Sequence, residues 1–257
     1  MNMIKICVMT EVGAVRKINQ DNLFVDGVYK EKIEEQSCYY ETEKKQEDTF
    51  VCAVLDGMGG LALGEEASLK AAEQLSEYMS KVKQGAILYD EETLIEYLNE
   101  KLCEWKDVKG ISMGSTIALL RCSQGKVKTC NLGDSRVYRY RKEKLEQISV
   151  DHNEAASFKR FGNTFGEGSS SVLTQFLGIE ADEFIVEPAI SPEYELESGD
   201  IYLLCSDGLS GMVSDEQILE VLSEKECTIS DMRQQLYELA MKNGGKDNIT
   251  ILLIQAQ

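Results

Sequence analysis

The chain has 257 residues and a formal net charge of −18, from 45 acidic and 27 basic side chains. That length supports one domain that buries about three-quarters of its unfolded surface without disulfide staples. The charge excludes a phosphate-backbone binder, because nucleic-acid affinity comes chiefly from Lys and Arg.

Met1-Asn2-Met3-Ile4-Lys5-Ile6-Cys7 has neither the basic start nor the long apolar core of a signal peptide, and no apolar run reaches the ~18 residues of a membrane span. A cytoplasmic protein without membrane insertion is expected. The eight cysteines lack zinc-ligand spacing, and Cys7, Cys52, Cys122, Cys130 and Cys205 fall in apolar runs, as reduced core residues do.

In chain order, apolar β-branched runs predict strands at 4–9, 50–55, 116–122, 127–132, 137–140, 201–205 and 249–254. Ser123-Gln124-Gly125 turns one strand into the next, so 115–148 reads as an antiparallel meander. Leu75, Tyr78, Met79 and Val82 have helical spacing, as do Leu94, Ile95, Leu98, Leu102 and Trp105. Ser214 with Gln217 is a capping-box pattern, and a last helix near 230–242 stops at Gly244-Gly245. The acidic stretch 29–48 and the Gly/Ser/Asn-rich stretch 151–171 read as loops or lids. With only Pro188 and Pro192, no Pro-rich linker divides the chain, and residues 1–257 are expected to form one domain.

Three carboxylate turns stand out against this frame. Asp56-Gly57-Met58-Gly59-Gly60 follows the run 50–55, Ser206-Asp207-Gly208 follows 201–205, and Asp247-Asn248 leads into the last strand. If the three aspartates meet, they form an all-oxygen site suited to Mg²⁺ or Mn²⁺, and the glycines let backbone carbonyls come close. Such a site favours hydrolysis. Carboxylates a few Å apart repel by several kcal/mol even at an effective dielectric near 20, so cation binding and function are expected to go together.

The ordered series Arg16-Lys17-Ile18-Asn19-Gln20-Asp21, Asp56-Gly57-Met58-Gly59-Gly60, Gly114-Ser115-Thr116, Asn131-Leu132-Gly133-Asp134-Ser135-Arg136, Asp151-His152, Leu173-Thr174-Gln175-Phe176-Leu177-Gly178, Ser206-Asp207-Gly208-Leu209 and Asp247-Asn248-Ile249-Thr250 resembles the metal-dependent protein phosphatase 2C family in its bacterial form. The resemblance implies an α+β fold, a four-layer αββα sandwich of two mainly antiparallel sheets flanked by helices. It implies two tightly bound Mn²⁺ or Mg²⁺ ions, with Asp56 bridging, the Gly57 carbonyl on the second metal, and Asp207 and Asp247 completing the first. It further implies Asp134 with Asp207 at a third, weaker site, Arg16 on phosphate, and Asp21 orienting metal-bound water. Gly211 stands where some members carry an acidic residue for the third metal, and Gln20 where some carry a ligating Glu.

By the same resemblance the reaction is direct attack of a metal-bridging water on phosphoserine or phosphothreonine, on phosphoproteins that include a bacterial Ser/Thr kinase, by a monomer. Substrate recognition falls to the flap at 151–171. Eukaryotic relatives use a histidine as proton donor where this chain has Met58, which has no proton to give, so His152 and a metal-bound water both stand as donors. Two rivals remain. Cys130 and Arg136 fit the Cys-x5-Arg pattern of cysteine-dependent phosphatases, although Asp134 inside that loop would raise the thiol pKa and repel phosphate. A catalytically silent binding module is the other, with the retained Asp56, Asp207 and Asp247 against it.

Overall fold

A computed structural model describes residues 2–58, 63–160, 172–180 and 184–257. The elements are β1 (Met3–Glu11), β2 (Asp21–Val25), β3 (Val28–Tyr29), β4 (Ser37–Lys45), β5 (Phe50–Met58), α1 (Gly64–Lys83), α2 (Glu91–Lys109), β6 (Gly114–Ser115), β7 (Ile117–Ser123), β8 (Lys126–Leu132), β9 (Arg136–Arg141), β10 (Lys144–Gln147), α3 (Glu154–Arg160), β11 (Ala189–Ile190), β12 (Tyr194–Glu195), β13 (Ile201–Cys205), α4 (Asp207–Ser210), α5 (Asp215–Leu222), α6 (Ile229–Lys242) and β14 (Ile249–Ala256). One sheet runs β10-β9-β13-β14-β1-β4. The other runs β11-β8-β7-β5-β2-β3, with β12 on β8 and β6 on β5. The pairings are antiparallel throughout, as in β1 with β14 and β2 with β5.

The apolar runs are continuous rather than alternating because the central strands are buried on both faces. Ile4, Ile6 and Val8 of β1 face inward with Leu252 and Ile254 of β14, packing between the sheets on Leu23, Val54 and Leu120. Their neighbours Cys7, Met9, Ile251 and Leu253 face outward onto Ile218 of α5 and Leu236 of α6. On the opposite outer face, Val51, Ala53 and Leu55 of β5 meet Leu75 of α1 and Leu98 of α2. Each strand thus serves two apolar layers at its period of two. The result is the expected αββα sandwich.

The helix ends follow their capping residues. Asp90 accepts from the Thr93 amide at 2.9 Å ahead of α2, and Gly110 closes that helix at φ 66°. Ser214 and Gln217 form the full reciprocal box at α5, and Thr228 with Asp231 does the same at α6.

Two expectations are corrected. The stretch 29–48 is not a hydrated loop, since β4 occupies nine of its residues and pairs along the whole of β1. Its alternating, charge-rich side chains suit a sheet edge, where one face is wet and exposed lysines discourage further pairing. The stretch 115–148 is not a single meander. β7 and β8 pair in one sheet, β9 and β10 in the other, and the chain changes sheet at Gly133-Asp134-Ser135. Within 151–171, Glu154–Arg160 form α3, while 161–171, like Gly59 and Gly60, lie outside the described residues.

This topology gathers chain ends. β1, β5, β8 and β13 end, and β2, β9 and β14 begin, at one rim of the sandwich. Register confirms the convergence, with Asp21 opposite Asp56 and Glu11 opposite Ile249.

Candidate functional site

At that rim lies a pocket of about 530 Å³ bordered by Asp56, Asp134, Asp207 and Asp247, together with Arg16 and Gly57. Asp56 comes from the end of β5, Asp134 from the sheet-changing turn, Asp207 from the start of α4, and Asp247 from the residue pair before β14. All four carboxylates are half-buried and open to this space. Residues more than 190 positions apart in sequence share one cavity.

Backbone contacts hold them there. The Asp56 amide donates to Thr116 Oγ1 at 3.1 Å, and the Thr116 amide donates back to the Asp56 carbonyl at 2.8 Å. A Cβ at Gly57 would stand 1.9 Å from the Gly64 carbonyl oxygen, and one at Gly208 would stand 1.9 Å from that of Asn248. Only glycine permits these approaches. Asn248 ties the Arg16 loop down, accepting from the Gln20 amide at 2.8 Å and donating to the carbonyls of Val12 and Ile18, each at 3.0 Å.

Asp21 stands behind the pocket rather than in it. It is buried, and its Oδ2 accepts from Ser206 Oγ at 2.7 Å and Thr250 Oγ1 at 2.6 Å. Burial pushes its carboxyl up to about 6, against the pull of those two hydroxyls and of the Lys30 charge. Lys30 is itself 1% exposed and donates to the Asn19 carbonyl at 2.7 Å. Sequence reasoning missed Lys30, placing it in a loop, and gave Thr250 a place in the ordered series but no role toward Asp21. Thr250 lies 229 positions from Asp21, and Lys30, although only 11 from Asn19, sits in a stretch whose acidic composition reads as solvated.

The electrostatics are those of crowded anions. Burial, then the charges of Asp21, Asp207, Asp134 and Asp247, push the Asp56 carboxyl well above the usual carboxylate range. Asp207 is pushed up to about 7 by burial and by Asp134, Asp247 and Asp21, and it lies within hydrogen-bonding reach of Asp56. Hard oxygen donors in excess of positive charge fit Mg²⁺ or Mn²⁺ and fit softer metals poorly. Among the described residues no three His, Cys, Asp or Glu side chains are already drawn in to ligand spacing. Arg16 Nη2 donates to Asp247 Oδ2 at 2.6 Å, so one of the four carboxylates is paired with a cation from the chain itself.

Arg16 is half-exposed and borders the pocket, so water screens its pairing with Asp247 and the guanidinium is accessible from that space. Arg16→Ala is expected to raise KM for para-nitrophenyl phosphate about 10-fold while changing kcat less than about 3-fold. Steady-state kinetics with saturating Mn²⁺ check this, and a loss confined to kcat would recast Arg16 as a transition-state group.

The cysteine reading is overturned. Cys130 lies in β8, 1% exposed and packed in the core beneath the helices, with burial pushing its thiol up to about 12. Arg136 lies in the other sheet, where it donates to both Asp151 oxygens at 2.6–3.1 Å and to the Tyr138 hydroxyl at 2.8 Å. No shared phosphate cradle exists between them, and the thiol stays protonated. His152 does not border the pocket. Its Nδ1 accepts from the Gly133 amide at 3.2 Å, and its backbone amide donates to the Gly133 carbonyl at 3.0 Å, which fastens the loop that carries Asp134.

An antiparallel αββα sandwich with clustered aspartates at one rim defines a metal-dependent phosphatase. A family profile described as Protein phosphatase 2C matches residues 35–247. Serine/threonine phosphatase stp of Listeria monocytogenes is 29% identical over 265 residues, covering 96% of this chain and 93% of that protein. The crystal structure of the Mycobacterium tuberculosis serine/threonine phosphatase PstP/Ppp superposes with a TM-score of 0.77 at 27% identity, covering 98% of each chain. The catalytic domain of PstP in complex with two manganese ions superposes at 0.75 and 26% identity, covering 100% of this chain and 99% of that one. The chain belongs to the protein phosphatase 2C family and is a metal-dependent protein serine/threonine phosphatase. The silent-module reading gives way to this.

Proposed function

We propose that the chain releases phosphate from phosphoserine and phosphothreonine using two Mn²⁺ or Mg²⁺ ions held by Asp56, the Gly57 carbonyl, Asp207 and Asp247. Asp134 and Asp207 would offer a third, weaker site, with Gly211 adding no carboxylate to it. The convergence of four half-buried carboxylates and one arginine on a single pocket carries this reading. When bound, the cations lower the pKa of a water and stabilise the entering and leaving oxygens of in-line attack.

The chain's own side chains do the rest. Arg16 binds the phosphoryl oxygens and gives up Asp247 as it does so. Asp21, clamped by Ser206 and Thr250, orients the attacking water from behind Asp56. Met58, Met113 and Phe176 form the apolar wall of the pocket and limit access of bulk water. With Met58 unable to donate and His152 outside the pocket, the proton for the leaving alkoxide comes from water.

Phosphorylated proteins, a bacterial Ser/Thr kinase among them, are the proposed substrates of a monomeric, single-domain enzyme working in the cytoplasm. Among the described residues no helix is long and apolar enough to cross a membrane. The test is phosphate release from phosphothreonyl and phosphotyrosyl peptides with Mn²⁺. Release from the phosphothreonyl peptide is expected, surviving iodoacetamide within about two-fold because no thiol takes part. No release from it at saturating Mn²⁺ would overturn the proposal.

A further inference from the structure

Beside the catalytic pocket lies a second depression of about 520 Å³, and the two share Val172, Leu173 and Phe176 as a common wall. Beyond that wall it is lined by Ile179 and Phe184, and Glu154 is the one charged residue among its described lining. Its volume suits a ligand subsite, and its walls are apolar apart from Glu154 and Thr174.

The floor is firmly built. Leu177 and Ser115 exchange backbone bonds at 2.8 and 3.1 Å, the Thr174 amide donates to the His152 carbonyl at 2.9 Å, and Asn99 Oδ1 accepts from the amides of Gly178 and Ile179 at 2.7 and 3.0 Å. A Cβ at Gly114 would come within 2.7 Å of the Phe176 ring, so a glycine there admits the ring that separates the two spaces. The rim, in contrast, spends apolar surface on water: Val172 is 56% exposed, Phe184 69% and Ile185 78%. Val15 and Ile18, which flank Arg16 at the pocket, are exposed as well. Val172 and Phe184, both exposed on the wall of one cavity, mark a surface that meets a partner.

Resting on the hydrolase reading above, we propose that this trough is a substrate subsite that takes an apolar side chain beside the phosphorylated residue. Continuity with the catalytic pocket decides the occupant, because Val172, Leu173 and Phe176 line both spaces and give a chain whose phosphate reaches Arg16 a direct path for its neighbouring residues into the trough. Phosphoproteins with Leu, Met or Phe next to the phosphosite are therefore favoured over those with Ser or Glu there. Phe184 is a specificity residue and takes no part in the chemistry.

The experiment uses the Mn²⁺-loaded enzyme and labelled phosphothreonyl peptides that differ only in Leu, Ser or Glu at the flanking positions. The Leu peptides are expected to show about 10-fold higher kcat/KM than the Ser peptides, the worth of one apolar side chain in a pocket. Phe184→Ser should reduce that preference to about two-fold, and Phe184→Leu should restore it, with para-nitrophenyl phosphate turnover the same in all three forms. Equal kcat/KM across the peptides, or a preference untouched by Phe184→Ser, would overturn the subsite. Fluorescence anisotropy with the same peptides reads the trough without turnover. Leu-selective binding with no phosphate release would overturn the hydrolase proposal and leave the subsite standing.

Discussion

Asp56→Asn is expected to lower turnover of para-nitrophenyl phosphate with Mn²⁺ by about 10³-fold or more while the protein stays folded. Asp56 is the carboxylate on which the others converge, since four aspartates contribute to its raised pKa. Its replacement removes charge from the centre of the cluster and leaves side-chain volume almost unchanged. The backbone that positions it is independent of that charge, being held by Thr116 and by pairing with β2. Removing one of several repelling anions also relieves the site, so the variant without metal should melt at the same temperature as the parent or higher. Kinetics and a circular dichroism melt on the same preparation decide the matter. Near-normal turnover would remove Asp56 from the metal centre, and a collapsed melt would make it structural.

What could be read from the sequence follows from which information is local. The strands at 4–9, 201–205 and 249–254 announce themselves because both faces are buried, leaving an unbroken apolar run. β4 does not, since an edge strand of Ser, Cys, Tyr, Glu, Thr and Lys has the composition of a loop and becomes a strand only because β1 needs a partner. Sheet membership was illegible in the same way. The turn at Gly133-Asp134-Ser135 looks like a hairpin, and only packing shows that it passes between sheets. The aspartates of the site were legible as a resemblance in order along the chain, whereas their electrostatics were not. The Arg16 to Asp247 pair spans 231 positions and the Ser206 to Asp21 bond 185, so no window along the sequence contains them. Lys30 shows the reverse error, in which a lysine in an acidic stretch counts as solvated by base rate yet is buried behind the site.

Chelation should abolish turnover and expose an inverted pH dependence of stability. Folding raises the carboxyl pKa of Asp21 to about 6 and of Asp207 to about 7, from an ordinary value of 3.8. A carboxyl whose pKa rises on folding holds its proton more tightly in the folded chain than in the unfolded one. Between about pH 4 and pH 7 the folded state therefore binds more protons, and stability falls as pH rises through that window. This is the opposite of a salt-bridged carboxylate, whose contribution is lost as pH falls. Asp21 is buried and expresses most of its shift, whereas Asp207 faces the pocket and is partly screened by water. Together they are worth a few kcal/mol, so the chelated protein should melt about 5–10 °C lower at pH 8 than at pH 5. Saturating Mn²⁺ should erase most of that difference, because a cation that binds only the folded carboxylates offsets their repulsion. Differential scanning calorimetry at the two pH values, with EDTA and with Mn²⁺, makes the comparison. A chelated protein that melts higher at pH 8, or that keeps its turnover, would mean that these aspartates do not form the charged centre on which catalysis depends.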